Sequence, residues 1–378
     1  MYLSRLALTD YRNFQSLELE LPQGALFIVG DNAQGKSNLL EATYLLSIAK
    51  SYRTNTEREL VRQGILNENM GPPPIPQTLI SGDAETREGR LRIIVGLRAI
   101  AGETDRLLVK KLVRVNSVPT TGSGLMGRFN AVLFTADDIE LVYGSPSVRR
   151  RFMDILISQV DRSYLRALQR YQHVVTQRNH LLRFIRDHRS SNQELDFWDA
   201  ELVKEGTSIS TRREEVVGHL TPLATRSYAD LTNSQENFSL SYQPTVASSA
   251  LAKAVEDHRD REIGAGMTLI GPHRDDLAIE VADMRAGIFA SRGQARTIAL
   301  ALRLAEAVFL KDMRGEEPVL LLDDVLSEMD TERRHHVLRE AGKYQQALVT
   351  TAEPALIQDS PIQPSAVLTI RRGIVTGL

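Results

Sequence analysis

Three short stretches carry the residue types needed to bind and cleave a phosphate anhydride. The first is Gly30–Ser37, GDNAQGKS, which fits the pattern G-x-x-x-x-G-K-[ST]. Its glycines let the backbone wrap phosphates at close range, with successive N–H groups pointing inward. The Lys36 ammonium would bridge the β- and γ-phosphates of a nucleoside triphosphate, and the Ser37 hydroxyl would reach Mg2+. The second is PVLLLDDVLSEMD (318–330), an apolar run ending in the consecutive carboxylates Asp323 and Asp324. Beside a phosphate loop, the first acid would hold Mg2+ through its water shell and the second would polarise the attacking water. The third is Ser291-Arg292-Gly293-Gln294, at the head of the apolar segment FASRGQARTIALALRLAEAVFL (289–310). Ser291 can cap that helix, and the free N–H groups of its first turn would face an anion.

These groups need elements that hold them together. Ala25–Val29 is a continuous apolar run, the pattern of a strand covered on both faces, and it feeds directly into the loop. Leu40, Tyr44 and Ile48 then fall on one face of a helix whose positive N-terminal end, near Lys36, adds to the anion site. Leu6 and Leu8, and Leu17, Leu19 and Leu21 alternating with Glu18 and Glu20, show the period of two expected of half-buried strands. The same alternation returns in LRIIVGLRAI (91–100) and LLVKKLVRV (107–115), while GPPPIPQ (71–77) predicts an exposed loop.

The character changes near residue 145. From Arg149 to about Arg189 there is no proline or glycine, and Tyr164, Leu168, Tyr171, Val175, Leu182 and Ile185 follow a heptad rhythm with Arg178 in the missing slot. At 1.5 Å per residue such a helix would reach on the order of 50–60 Å. SSNQE (190–194) interrupts the rhythm, and Trp198, Leu202, Ile209 and Val216 resume it. Two helices around a polar break predict an antiparallel hairpin, either an ordinary helical subdomain or a projecting arm. Strand–helix alternation resumes after about residue 265. The expected division is an N-terminal ATPase part (1–145), an inserted helical lobe (146–264) and a C-terminal ATPase part (265–378), a P-loop α/β class.

Bulk properties narrow the class without naming a partner. The chain has 378 residues, 42% hydrophobic and 25% charged, ordinary for a globular protein. No window approaches a membrane span, and MYLSRLALTDYRNF has no secretory h-region. There are no cysteines, so disulfides, thiolate zinc sites and cysteine nucleophiles are excluded. These features fit a cytoplasmic location. Net charge is −2, which excludes a globally basic nucleic-acid coat but not a local basic surface.

The order of phosphate loop, long insertion, Ser-x-Gly-Gln helix, acidic strand and SEMD identifies an ABC-type ATPase head. Beyond those motifs the chain resembles the RecF family of bacterial DNA replication and repair proteins over essentially its whole length. The resemblance rests on LTDYRNF (8–14), NLLEATYLLSIAKSYRT (38–54), LVYGSPSVRRRFMD (141–154), GPHRDDL (271–277) and LLLDDVLSEMD (320–330). It implies an ABC-type head split by a helical lobe, related to the SMC and double-strand-break-repair ATPases. It also implies ATP-dependent homodimerisation, weak ATPase activity with Mg2+, and binding to single- and double-stranded DNA. Work with RecR and RecO to load RecA at single-stranded gaps, and SOS induction, follow from the resemblance alone.

Carried over by position, Gly30, Asp31, Asn32, Ala33, Gln34, Gly35, Lys36 and Ser37 are the ATP-binding loop. Asp323 and Asp324 are the metal and water-activating pair, with Lys36 completing the catalytic set. Ser291, Arg292, Gly293 and Gln294 are the signature that contacts the γ-phosphate held by another copy. Glu328 and Asp330 fall in a loop that crosses the dimer interface in such heads. Thr351 occupies the region where many ABC heads place a phosphate-sensing histidine. Asp324 in place of the usual glutamate, without that histidine, predicts slow turnover suited to a timed clamp.

A DNA surface is expected from Arg149, Arg150 and Arg151, with Arg162, Arg166 and Arg170 at i, i+4 spacing; the alternative is a solvated face paired with acids such as Asp154 and Asp161. His273, Arg274, Asp275 and Asp276 form a charged cluster of family type, with too few ligands for zinc. The main rival function is the ATPase subunit of a membrane transporter, in which loop and signature usually lie much closer than the more than 250 residues that separate them here.

Overall fold

A computed structural model of the chain describes residues 1–63, 65, 78–101, 107–232 and 236–377, so the loop expected at 71–77 lies outside the described residues. In chain order the first elements are β1 (Tyr2–Tyr11), β2 (Phe14–Glu20), β3 (Gly24–Val29) and α1 (Lys36–Ile48). Next come β4 (Thr78–Thr86), β5 (Gly89–Ala101), β6 (Leu107–Val115), β7 (Val118–Thr120) and β8 (Ala131–Thr135). The longer helices α2 (Pro146–Val160), α3 (Arg162–Arg186) and α4 (Leu195–Thr232) lead to β9 (Phe238–Gln243), α5 (Leu251–Ala265), β10 (Asp276–Val281) and β11 (Met284–Arg285). The chain continues with α6 (Arg292–Arg314), β12 (Val319–Asp323), α7 (Thr331–Ala341), β13 (Gln346–Thr351), β14 (Ala366–Arg371) and β15 (Ile374–Thr376). By internal packing it divides into Met1–Asp137 with Glu306–Leu378, and Asp138–Ala305. The expected boundaries fall instead at residues 145 and 264.

The first unit holds two six-stranded sheets. One has the order β15-β14-β3-β13-β12-β8, parallel except for the β14–β15 hairpin. The other, β2-β1-β4-β5-β6-β7, is antiparallel throughout. Ala25–Val29 is buried at the centre of the parallel sheet, as the unbroken apolar run requires. α1 packs against strands of both sheets. The contact with β4 is close enough that a Cβ on Gly82 would lie 2.4 Å from Leu46 Cδ1. Covered on two sides, α1 buries Leu39, Leu40, Leu45 and Leu46 completely, rather than presenting a single face along Leu40, Tyr44 and Ile48. Each such leucine stabilises the fold by roughly 1.5–3 kcal/mol.

In the second unit the proline-free run from Arg149 to Arg189 is not one helix. It breaks at Asp161, whose carboxylate accepts from the N–H groups of Ser163 and Tyr164 and so starts α3 afresh. With 25 residues α3 is about 37 Å long, not 50–60 Å. The SSNQE break is a short 3-10 turn closed by a reciprocal Ser191–Glu194 capping box. α3 and α4 run antiparallel, as the pairs Tyr164–Arg213, Arg170–Glu205 and Arg178–Asp199 require. The seam uses Ala167 and Val174, not Leu168 and Val175, which stay half-buried. Arg178, in the vacant heptad slot, is fully buried; it pairs with Asp199 of α4 at 2.6 Å and with Glu262 of α5 at 2.6 Å. That third helix makes the hairpin part of a bundle. A three-stranded antiparallel sheet, β11-β10-β9, belongs to the same unit.

Candidate functional site

Because β3, β13 and β12 are neighbouring parallel strands, their carboxyl ends emerge on one edge. The register sets Val29 beside Thr351 and Thr350 beside Asp323, so the loop after β3 and the acids ending β12 converge there. That edge is where open α/β sheets receive ligands.

The loop itself is a backbone cradle. A Cβ on Gly30 would come within 2.4 Å of the Ile370 carbonyl oxygen, so only glycine lets the chain leave β3 against β14. Gly35 has φ 120°, and a Cβ there would sit 2.6 Å from Asn13 Nδ2. Gln34 is clamped from two sides. Its carbonyl accepts from Asn13 Nδ2 at 2.8 Å and the Gly373 N–H at 3.1 Å, and its Oε1 accepts from the Arg372 N–H at 2.6 Å. Asp31, Asn32 and Ala33 form the exposed crest. α1 starts at Lys36 with no side-chain cap and no acid in its first turn, which leaves its dipole to an anion. The buried Lys36 ammonium donates to the carbonyls of Gly30 at 2.7 Å and Asp31 at 3.1 Å. Burial lowers its pKa, opposed by Asp324, Asp323 and Asp31.

Asp323 is held at both oxygens. Oδ2 accepts from the Tyr52 hydroxyl at 2.6 Å and Oδ1 from the Thr350 hydroxyl at 3.1 Å. Tyr52 Oη also lies 3.4 Å from the Ser37 carbonyl, which places the start of α1 beside the carboxylate. The Thr350 hydroxyl accepts from the Asp324 N–H at 2.9 Å, so one side chain orders both acids. Asp324 has φ 54°, a left-handed position that aspartate tolerates better than most residues. Its pKa is raised, first by burial; Lys36 opposes the shift and Asp323 adds to it.

An ATP–Mg2+ group fits these residues. The glycine backbone and the uncapped helix suit the phosphates, with Lys36 as their cation. Among the described residues no three acids or histidines cluster into a metal cage. Magnesium suits such a place, since it takes one or two carboxylates and completes its shell with phosphate and water. Ser37 and Asp323 would hold it, and it would neutralise charge on the transferring phosphate.

Tyr52, Thr350, Asn13 and Glu41 escaped sequence reasoning. Glu41 is a fully buried acid inside α1; it accepts from Tyr11 Oη at 2.8 Å, from Arg12 Nε at 2.9 Å and Nη2 at 2.7 Å, and from the Ser51 hydroxyl. It thereby ties the β1–β2 turn and the segment carrying Tyr52 to the phosphate-loop helix. A lone glutamate in an apolar helix was the available signal for Glu41; nothing in the spacing ties residue 52 to residue 323.

The remaining candidates lie elsewhere. Ser291, Arg292, Gly293 and Gln294 are exposed in the second unit. Ser291 Oγ accepts from the Gln294 N–H at 3.3 Å and Gln294 Oε1 accepts from the Ser291 N–H at 2.9 Å, a reciprocal cap. A Cβ on Gly293 would meet nothing within 4 Å. Asp330 caps α7, accepting from the Arg333 N–H at 2.9 Å, and Glu328 is exposed. Thr351 is buried and accepts from the Glu353 N–H at 3.0 Å.

The expected DNA arginines divide. Arg149 forks onto Asp276 at 2.7 and 2.9 Å, Arg150 donates to the Asp275 carbonyl at 2.8 Å, and Arg170 forks onto Glu205 at 2.7 and 2.8 Å. These three are engaged internally, whereas Arg151, Arg162 and Arg166 are exposed. Asp154 and Asp161 answer Arg213 and Arg212 instead. In GPHRDDL, His273 bonds Tyr171 Oη at 2.8 Å, and burial depresses its pKa to about 4. Asp275 is buried against Tyr242 and Thr245.

A family model described as the RecF/RecN/SMC N terminal domain matches residues 2–375. The chain is 41% identical over 359 residues to the DNA replication and repair protein RecF of Herpetosiphon aurantiacus, covering 93% of each. It is 36% identical over 389 residues to the same protein of Geobacillus kaustophilus, covering 100% of this chain and 99% of the relative. Among solved structures, the recombination mediator protein RecF with ATP, of the RecFOR pathway, matches with a TM-score of 0.87 at 28% identity, over 100% of this chain and 97% of that one. An Smc head domain from Pyrococcus furiosus shares the fold at 15% identity, with a TM-score of 0.54 over 100% of this chain and 96% of that one. A P-loop head with an inserted helical lobe, matched end to end by these relatives, places the chain in the RecF family of DNA replication and repair proteins.

Proposed function

We propose that this chain is an ATP-switched, DNA-binding clamp of recombinational gap repair. Two copies close on two Mg-ATP molecules, each held between the phosphate loop of one copy and the Ser291–Gln294 helix of the other. The closed pair grips DNA, works in the cytoplasm with RecO and RecR to load RecA, and lets go after slow hydrolysis. The observation that carries the reading is the convergence of Lys36, the start of α1, Asp323 and Asp324 on one sheet edge. Gly293 supports the shared site. Glycine within a helix costs roughly 0.5–1 kcal/mol against alanine, and among the described residues no atom within 4 Å of a Cβ there requires it. A surface approached closely by a second copy's nucleotide would require it. ATP binding then favours the closed pair because the phosphates touch both copies, and loss of the γ-phosphate removes that differential affinity.

The test uses Lys36→Arg and Ser291→Arg proteins, alone and mixed, in ATP-dependent retention on gapped DNA. Each variant alone is defective, and the mixture recovers activity because a mixed pair keeps one intact composite site. A wild-type protein that stays monomeric at saturating Mg-ATP with DNA present overturns the reading.

A further inference from the structure

The antiparallel sheet of the first unit turns one face toward α1, and among the described residues nothing covers the other at its β5–β6 end. On that outer face Arg98 of β5 stands directly opposite Lys110 of β6. Arg114 lies two same-face positions further along β6, about 14 Å away at 3.4 Å per residue. All three side chains are exposed, and none forms an ion pair among the described residues.

Like charges set directly opposite each other across an antiparallel pair are destabilising. The rest of the sheet avoids this. Arg90 and Arg92 answer Asp83, Arg5 answers Glu18, and Lys111, on the opposite face, answers Glu57 at 2.8 Å. Uncompensated positive charge is therefore concentrated at Arg98, Lys110 and Arg114. Around these cations the face is aliphatic: Leu112, between Lys110 and Arg114, and the flanking Leu108 and Leu79 are 41%, 56% and 37% exposed.

We infer that this face is a contact surface for the phosphate backbone of duplex DNA, distinct from the nucleotide site. It rests on the DNA-binding reading above and adds the surface that does the binding. Long cationic side chains on a flat sheet reach phosphates and have no groove-shaped element with which to read base edges. Unpaired strands are gripped by stacking their bases on aromatic rings, and the residues between these cations offer none. A duplex backbone is the polyanion that fits.

The experiment compares wild type with the triple variant Arg98→Thr, Lys110→Thr, Arg114→Thr, since threonine keeps the strand preference. Binding of a mixed-sequence duplex with Mg-ATP is followed by fluorescence anisotropy across a salt series. Each lost phosphate contact makes the slope of log K against log salt shallower by about 0.9, so the triple variant loses up to about 2.7. ATP binding stays at the wild-type level, and the melting temperature is equal or higher because the opposed charges are gone. Arg98→Glu, which pairs with Lys110 across the strands, gives a folded second variant with the same direction of effect.

A wild-type slope in both variants overturns the surface while leaving the clamp standing. Unchanged DNA binding with weakened capture of a polyglutamate peptide assigns the face to an acidic protein and overturns it equally. If wild type itself binds no DNA, the clamp reading fails and takes this surface with it.

Discussion

Replacing Tyr52 with phenylalanine deletes one hydroxyl and keeps the ring in its edge-on packing with Tyr44, at 6.1 Å between centroids. Burial first, and the neighbouring Asp323 second, push the phenol pKa far above its usual range, so Tyr52 is a permanent donor to the carboxylate. A hydrogen bond to a charged group contributes about 1.5–3 kcal/mol. In Tyr52→Phe, Asp323 keeps only the Thr350 hydroxyl and swings more freely. Loss of such a supporting contact costs about 10–100-fold in metal affinity, which is about 1.4–2.8 kcal/mol and of the same size as the bond removed. The assay is the Mg2+ dependence of nucleotide binding and hydrolysis at fixed ATP. The midpoint in Tyr52→Phe rises about tenfold or more, while thermal stability without Mg-ATP changes little. Thr350→Val, which also frees the Asp324 N–H, has the larger effect on turnover. A Tyr52→Phe midpoint within twofold of wild type, or below it, refutes the positioning role and favours a phenol that only fills space or competes with the cation.

Arg178→Met leaves the fully buried Glu262 without its cation and Asp199 with Arg259 alone; unfolding by urea shows a loss of about 3–5 kcal/mol, and adding Glu262→Gln restores part of it. A loss under about 1 kcal/mol contradicts the buried lock. His273 has a folded pKa of about 4 against its usual 6.5, so below about pH 6.5 the unfolded chain takes up a proton that the folded chain refuses. Stability contributed by the neutral ring is therefore complete above pH 6.5 and lost as pH falls toward 4, by up to about 3 kcal/mol. Melting curves between pH 7.5 and 4.5 show a weaker pH dependence in His273→Asn; equal slopes for both proteins remove His273 from the explanation.

Local chemistry was legible in the sequence because it depends on residues close together in the chain. The loop Gly30–Ser37 needs its glycines within eight positions, and the apolar run before it needs only its own side chains to be a central strand. The Ser291–Gln294 cap is likewise closed within four residues. Periodicity found the arm helices but not their seam, since a heptad rhythm places Leu168 or Ala167 inward with equal ease until the partner helix sets the rotation. Arginines at 149, 150 and 170 could be read as a surface; the groups that engage them, the carboxylates of Asp276 and Glu205 and the carbonyl of Asp275, are 35 to 127 residues distant in sequence. Asp323 shows the same limit most clearly. Its identity is written in the strand that ends with it, but its orientation comes from a tyrosine 271 residues earlier and a threonine on the next strand. Sequence alone determined which groups could do the chemistry, because covalent neighbours and short-range pattern are encoded directly. Their aim and partners were decided by strand order and helix rotation, which arise only when distant segments pack.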